Sequence, residues 1–309
     1  MRAAARLVVC VSFACAAAAA AQVLETPYFV ARTPPSAPEA FAPAVLARLG
    51  IHSTPRFAKQ GTEVYWSAPA GRGRAFLVSS RLDNGRWSEP RPLPFSTGDF
   101  FDHNPAPSPD GRRVVFASNR PIPGKAATTL PGTDLPTSDL WMVERTPTGW
   151  SAPSALGPSI NTEWDDDVPV LTGDGSLYFG SSRPGAAGPA AVYRSGWTGT
   201  RFGPAEALPA PVTSAAGEML NDAALDESWV IYLSFAAGDA GGLRIAFKDA
   251  AGTWTPSMRL PDAVQALRAY GVAATGDGRA LIFTARGPSG PTVHWMTAAG
   301  VLRRPAPRD

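Results

Sequence analysis

Three histidines and two cysteines are all that this 309-residue chain carries of the side chains most used for zinc binding and thiolate chemistry. His52, His103 and His294 stand far apart, and no His-Glu-x-x-His run occurs, which excludes the helix-borne zinc site of a metalloprotease. Cys10 and Cys15 both fall in the extreme N-terminal stretch, so catalysis by a cysteine of the main body is excluded as well. Gly180-Ser181-Ser182-Arg183-Pro184 ends in Pro where a Gly-x-Ser-x-Gly nucleophile elbow needs Gly. No phosphate-binding glycine loop is present, and Ser108-Pro109-Asp110-Gly111 lacks the residue between Asp and Gly that a sialidase-type Asp box requires. The charge balance, 28 Lys plus Arg against 26 Asp plus Glu, offers no basic surface, so nucleic acid is not an expected partner. Neither a metal nor a cofactor is expected.

Long apolar runs are also missing. The one apolar stretch of note, Leu7 to Ala14, follows Arg2 and Arg6 and leads into Ala16 to Ala21, a pattern that predicts a secretory signal peptide over residues 1–21 with cleavage before Gln22. It is shorter than the ~20 residues of a membrane-spanning helix, so no transmembrane span is expected after cleavage. Cleavage removes both arginines of the signal and no acid, which leaves a formally neutral chain without a thiol. A periplasmic or secreted location follows. The lipoprotein alternative would use Cys15, preceded by Ser12, Phe13 and Ala14.

What the chain has in abundance is turn formers. Gly 30 and Pro 32 together make up a fifth of it, which argues for many short strands rather than helices. A tight turn followed by an apolar strand recurs at Gln60-Gly61 before Val64-Tyr65-Trp66, Asp110-Gly111 before Val114-Val115-Phe116, Asp174-Gly175 before Leu177-Tyr178-Phe179, and Asp277-Gly278 before Leu281-Ile282-Phe283. A fifth copy, Asp226-Glu227 before Val230-Ile231-Tyr232, has lost its Gly. A second strand keeps step with these turns, for example Leu140-Trp141-Met142-Val143 and Val293-His294-Trp295-Met296.

An aromatic with a Leu six residues later forms the third landmark: Trp87 and Leu93, Trp150 and Leu156, Phe202 and Leu208, Trp254 and Leu260. The shared period is close to 51 residues, and the one longer interval is accounted for by an insertion, Pro121 to Ser138, expected to be an exposed loop. About four strands per period match one blade of a β-propeller. The expectation is therefore an all-β protein: five recognisable blades over residues 48–309, in a five- or six-bladed ring, with the N-terminal segment 22–47 helping to close it. The repeated aromatics are read as packing between blades.

Ser108-Pro109-Asp110-Gly111, the apolar strand after it and Ser118-Asn119-Arg120-Pro121 resemble the TolB-type propeller repeat, a WD-repeat-like unit of exported bacterial proteins. Ile160-Asn161-Thr162-Glu163 and Asp174-Gly175-Ser176-Leu177-Tyr178-Phe179 to Arg183-Pro184-Gly185 follow the same pattern. The resemblance implies the repeat and leaves the role open, since such repeats serve several. It departs in later blades, where Ala191 and Gly242 stand in place of the acid found at Asp139.

Polar residues cluster just before the inner strands: Asp102-His103-Asn104, Asp165-Asp166-Asp167 and Asn221-Asp222, with Glu218 and Tyr270 nearby. Asp102, His103, Asp166, Asp167, Asn221 and Asp222 are the candidate ligand-binding residues. Facing one channel, their summed negative charge would favour a hard cation or a hydroxyl-rich ligand over an anion. The plainer reading is that they cap strand ends. Two functions are compatible with this pattern. One is a binding module or scaffold recognising an envelope protein, a peptide or a glycan. The other is a carbohydrate-active hydrolase or lyase using Asp102, Asp166 and Glu218.

Overall fold

A computed structural model describes residues 26–29, 33–41, 44–288 and 290–303. The predicted signal peptide, residues 1–21, lies outside the described residues, as does part of the segment 22–47. The fold is all-β: five antiparallel sheets follow one another along the chain as a five-bladed propeller. The innermost strands of the blades are, in order, β1 (Arg56–Ala58), β2 (His103–Pro107), β3 (Asp166–Leu171), β4 (Glu218–Ala223) and β5 (Ala269–Ala274). In the fifth blade the outermost strand comes from the start of the chain, where Glu39 and Ala40 pair with Trp295 and His294.

Both faces of every blade are covered, and this explains the unbroken apolar runs of the middle strands. Successive strand residues point to opposite faces. Val114 and Phe116 thus pack against Tyr65 and Leu77 of blade one, while Val115 and Ala117 pack against Leu171 and Phe179 of blade three. Each of the five blade–blade interfaces has its own apolar cluster, including the one between blades five and one, where Phe29, Phe41 and Leu46 join Trp66 and Trp295. Trp150 reaches across an interface to Tyr65 and Phe95, with ring centroids 6.5 and 6.3 Å apart.

The hairpin turns at one end of the ring use a left-handed residue, supplied by Gly111 (φ 69°), Gly175 (φ 87°) and Gly278 (φ 67°). Blade four, which lacks this Gly, places Glu227 in the same region at φ 60°. Such a conformation disfavours a side chain by about 1–2 kcal/mol. Here the carboxylate is held by Arg194 at 2.7 Å, Lys248 at 3.1 Å and the Tyr178 hydroxyl at 3.0 Å. The insertion lies between strands Arg113–Ser118 and Asp139–Thr146 and is anchored where the Thr128 hydroxyl donates to the Glu163 carbonyl, 2.9 Å away.

Candidate functional site

In an antiparallel blade the start of the inner strand pairs with the end of the second strand: His103 faces Ala117, Asp166 faces Ser181, Glu218 faces Ser234 and Ala269 faces Ala285. The residues before the inner strands and the loops after the second strands therefore share one end of the ring. That face carries Leu135, Trp164 and Phe235, three of the four large apolar side chains that remain exposed among the described residues. Leu225, the fourth, is on the turn end.

A cavity of about 500 Å³ opens on this face along the ring axis, walled by His52, Thr54, Phe101, His103, Asn104, Asp167, Asn221, Tyr270 and Arg286. Its floor is an ion pair across the channel, from Arg56 of β1 to the Asp222 carboxylate and the Asn221 carbonyl of β4. Beyond that pair a second cavity of about 890 Å³ opens to the turn end, and Asp222 lines it. Arg56 lines both cavities, so the two meet at this pair.

His103 and Asp167 join blades two and three. Both His103 ring nitrogens meet acceptors, Nδ1 the Phe101 carbonyl at 3.1 Å and Nε2 the Asp167 carboxylate at 3.2 Å. An imidazole satisfies two acceptors only when doubly protonated. Burial alone would lower the His103 pKa; the Asp167 charge and hydrogen bond, with the Phe101 carbonyl and Asp165, outweigh it and raise the pKa. Asp167 moves the opposite way. Burial opposes its charge, but His103, the Asn104 amide at 2.9 Å and the Val168 N–H at 2.5 Å hold its carboxyl below the usual range. Asp165, beside it, is pushed up to about 6 by burial and by the Asp167 charge. His52 is lowered by burial and by the neighbouring His103.

The backbone shapes this wall. Inner-strand register shifts between His103 and Ala106 and between Asp167 and Val170, with Asn104 and Val168 both at φ 48°. For a β-branched Val this is a strained conformation, and such strain concentrates at functional sites.

Of the six candidate residues, the structure brings His103, Asp167 and Asn221 into the cavity. Asp222 closes its floor through Arg56. Asp102 and Asp166 are not in the wall. Each is buried inside its own blade. Asp102 accepts hydrogen bonds from Ser96, Ser118 and Arg120, all at 2.6 Å. Asp166 accepts from Ser181 at 2.6 Å, Arg183 at 2.7 Å and the Thr162 N–H at 2.7 Å. Glu218 repeats the theme in blade four with Ser214. These acids lock the loops before the inner strands.

The expectation of a negative channel is therefore corrected. Two acids are turned into the blades, Asp222 is paired with Arg56, Asp167 with His103, and Arg286 adds a cation. Among the described residues no group of three His, Cys, Asp or Glu side chains is placed to hold a metal ion. His52, Thr54 and Phe101 were not legible as site residues in the sequence, because they precede recognisable landmarks and carry no motif.

No family model and no curated protein sequence matches the chain. Among solved structures it is similar to TolB from Acinetobacter baumannii, with a TM-score of 0.51 at 14% identity over 82% of this chain and 53% of that one. The chain thus spans about half the length of that relative. It is also similar to an α-L-arabinofuranosidase from Lactobacillus brevis, with a TM-score of 0.51 at 11% identity over 82% of this chain and 92% of that one. Likeness at this identity shows the β-propeller fold, which hosts unrelated chemistries.

Proposed function

We propose that the chain is an exported β-propeller binding module that recognises an envelope protein, a peptide or a glycan through the ring face where the 500 Å³ cavity opens. The observation that carries this reading is the acid content of the cavity: among the described residues Asp167 is the one carboxylate of its wall, already bound by His103 and Asn104, and the Asp222 carboxylate at the floor is bound by Arg56. Glycoside hydrolysis by protein carboxyl groups needs two flanking the bond, about 5–10 Å apart. Asp102, Asp166 and Glu218, the acids a hydrolase or lyase would use, are engaged in hydrogen bonds within their blades. Leu135, Trp164 and Phe235, exposed on the same face, suit a docked partner.

Substitution on the two faces tests the proposal. Trp164→Asp with Phe235→Asp is expected to abolish retention of the natural partner or glycan on immobilised protein, whereas Leu225→Asp on the opposite face leaves it intact. Turnover of arabinan or another polysaccharide by the purified chain, lost in Asp167→Asn, would instead favour the hydrolase.

A further inference from the structure

We propose that the partner met by this ring face is a polypeptide segment with Lys or Arg set among apolar side chains, docked over blades two to four on Leu135, Trp164 and Phe235, with Asp134, Glu163 and Asp239 taking its cations. The proposal rests on the binding-module reading and names the chemistry of the partner.

The apolar side chains come first. Leu135, Trp164 and Phe235 are 61%, 38% and 55% exposed, and they stand at the same end of three consecutive blades. The insertion that carries Leu135 is fastened to the loop that carries Trp164, since the Thr128 hydroxyl donates to the Glu163 carbonyl at 2.9 Å and the Ser138 N–H to the Asp165 carboxylate at 2.7 Å. Within the insertion the Leu130 N–H bonds the Leu135 carbonyl at 2.8 Å, so the backbone of Leu135 is fixed while its side chain stays in solvent. The insertion thus extends the rim of blade three, and its Leu adds to Trp and Phe, residues favoured where protein partners dock.

Charge names the partner. Each apolar residue has an exposed acid close to it in sequence: Asp134 precedes Leu135, Glu163 precedes Trp164, and Asp239 follows Phe235 in the same loop. None of these three carboxylates makes an ion pair among the described residues. The cations of blades two to four at this end are already engaged, Arg120 by Asp102, Lys125 by Asp139, Arg183 by Asp166, and Arg244 by the Asp239 and Ser257 carbonyls. The other half of the face is the reverse. Blades five and one expose Arg72, Arg74, Arg268 and Arg286, while Asp99 is held by the Thr97 hydroxyl and Asp262 by Arg259. Among the described residues that half exposes no large apolar side chain.

An anionic partner would be drawn to the half with little to bury. A cationic, apolar segment finds charge and contact area together on blades two to four and is repelled from blades five and one. Such a division sets orientation and rejects partners of the wrong sign. A neutral glycan makes no use of it.

Fluorescence anisotropy with the intact chain and a short labelled peptide of alternating Lys and Leu is the test, run beside Glu–Leu and Lys–Ser peptides of the same length. The Lys–Leu peptide is expected to bind about tenfold or more tightly than either control, and less tightly as salt is raised. Asp134→Asn with Glu163→Gln and Asp239→Asn, all at exposed positions, should weaken it about tenfold. Trp164→Ser with Phe235→Ser should weaken it as well, and Leu225→Ser at the opposite end should not. Equal binding of the Lys–Leu and Glu–Leu peptides, binding indifferent to the acid substitutions, or no binding would overturn the proposal. Lys–Ser binding as tight as Lys–Leu would overturn it too, because the apolar side chains would then play no part. Tighter binding of Glu–Leu, lost in Arg72→Glu with Arg74→Glu, would overturn it in favour of an anionic partner. A neutral oligosaccharide bound where no peptide binds would sink this proposal and leave the binding-module reading standing; peptide binding lost in Leu225→Ser alone would sink both.

Discussion

Arg56 of the first blade reaches across the channel to Asp222 of the fourth, joining residues 166 positions apart in sequence at the point where the axis would otherwise be open. The Asp222 carboxyl is raised by burial despite Arg56 and the Ala274 N–H, so its charge depends on the partner across the ring. Removing one member of a buried pair costs about 3–5 kcal/mol. Arg56→Ala is accordingly expected to lower stability by about that amount. Asp222→Asn should cost less, since its amide oxygen and the Asn221 carbonyl still accept from Arg56 while the carboxylate whose burial is unfavourable is gone. Urea denaturation of both variants measures it; equal losses would mean the pair is not the floor described.

Asp166 is expected to behave as a structural residue. Its replacement by Ala leaves the Arg183 guanidinium, with a side chain only 14% exposed, without its carboxylate, and also frees Ser181 and Thr162. A loss of about 3–5 kcal/mol follows. Asp167→Asn should instead change both stability and ligand binding, since its carboxylate is at once the partner of buried His103 and a cavity wall group. Denaturation midpoints and calorimetry on the two variants separate these roles, and reversed effects would contradict the assignment.

The His103–Asp167 pair sets a pH dependence. His103 has a raised pKa in the folded state, so its contribution is complete below about 6.5 and is lost as pH rises through the folded value. Asp167 is depressed, so its contribution is present above the ordinary Asp pKa of about 4 and is lost as pH falls through its lowered value. Asp165, raised to about 6, removes stability between about 4 and 6 as it ionises. These groups lower stability from pH 4 upward in two limbs, with Asp139 and Asp222, also raised, adding to the lower one, while His52, whose pKa is lowered, adds stability as pH rises toward about 6.5. His103→Gln is expected to erase the upper limb and Asp165→Asn to reduce the lower one, read from denaturation midpoints across the range. An unchanged upper limb in His103→Gln would refute the ion pair.

Phe29 holds the N-terminal segment in the seam between blades five and one, with ring centroids 4.5 Å from Trp87, 5.4 Å from Phe57 and 6.1 Å from Phe41. Phe29→Ala should cost about 3–5 kcal/mol. Hydrogen exchange should also speed up in Gly290–Thr297, whose edge is covered by Glu39 and Ala40. Exchange that rises uniformly around the ring would argue against a local seam.

The propeller was legible because its signals are local and repeated: a strand with both faces buried recurs in each blade, and a Gly-bearing turn and an outer aromatic each recur in four of the five. The site was legible only in part. In Asp165-Asp166-Asp167 the middle residue turns into its own blade while its neighbours face Ser138 and His103, and strand parity alone does not say which way a bulged strand starts. Pairings such as Arg56 with Asp222 join distant blades, and no local pattern in the sequence marks them. The missing Gly at Glu227 was visible, but the cluster of Arg194, Lys248 and Tyr178 that accommodates it was not.

Hydroxyl-radical footprinting of the chain with its bound partner or glycan tests the central claim most directly, because it reports which end of the ring is covered. Protection of Phe101, Trp164, Phe235 and Tyr270, with Leu225 and Trp229 unchanged, is the outcome predicted here. Protection of Leu225 and Trp229 with the first set unchanged would contradict it.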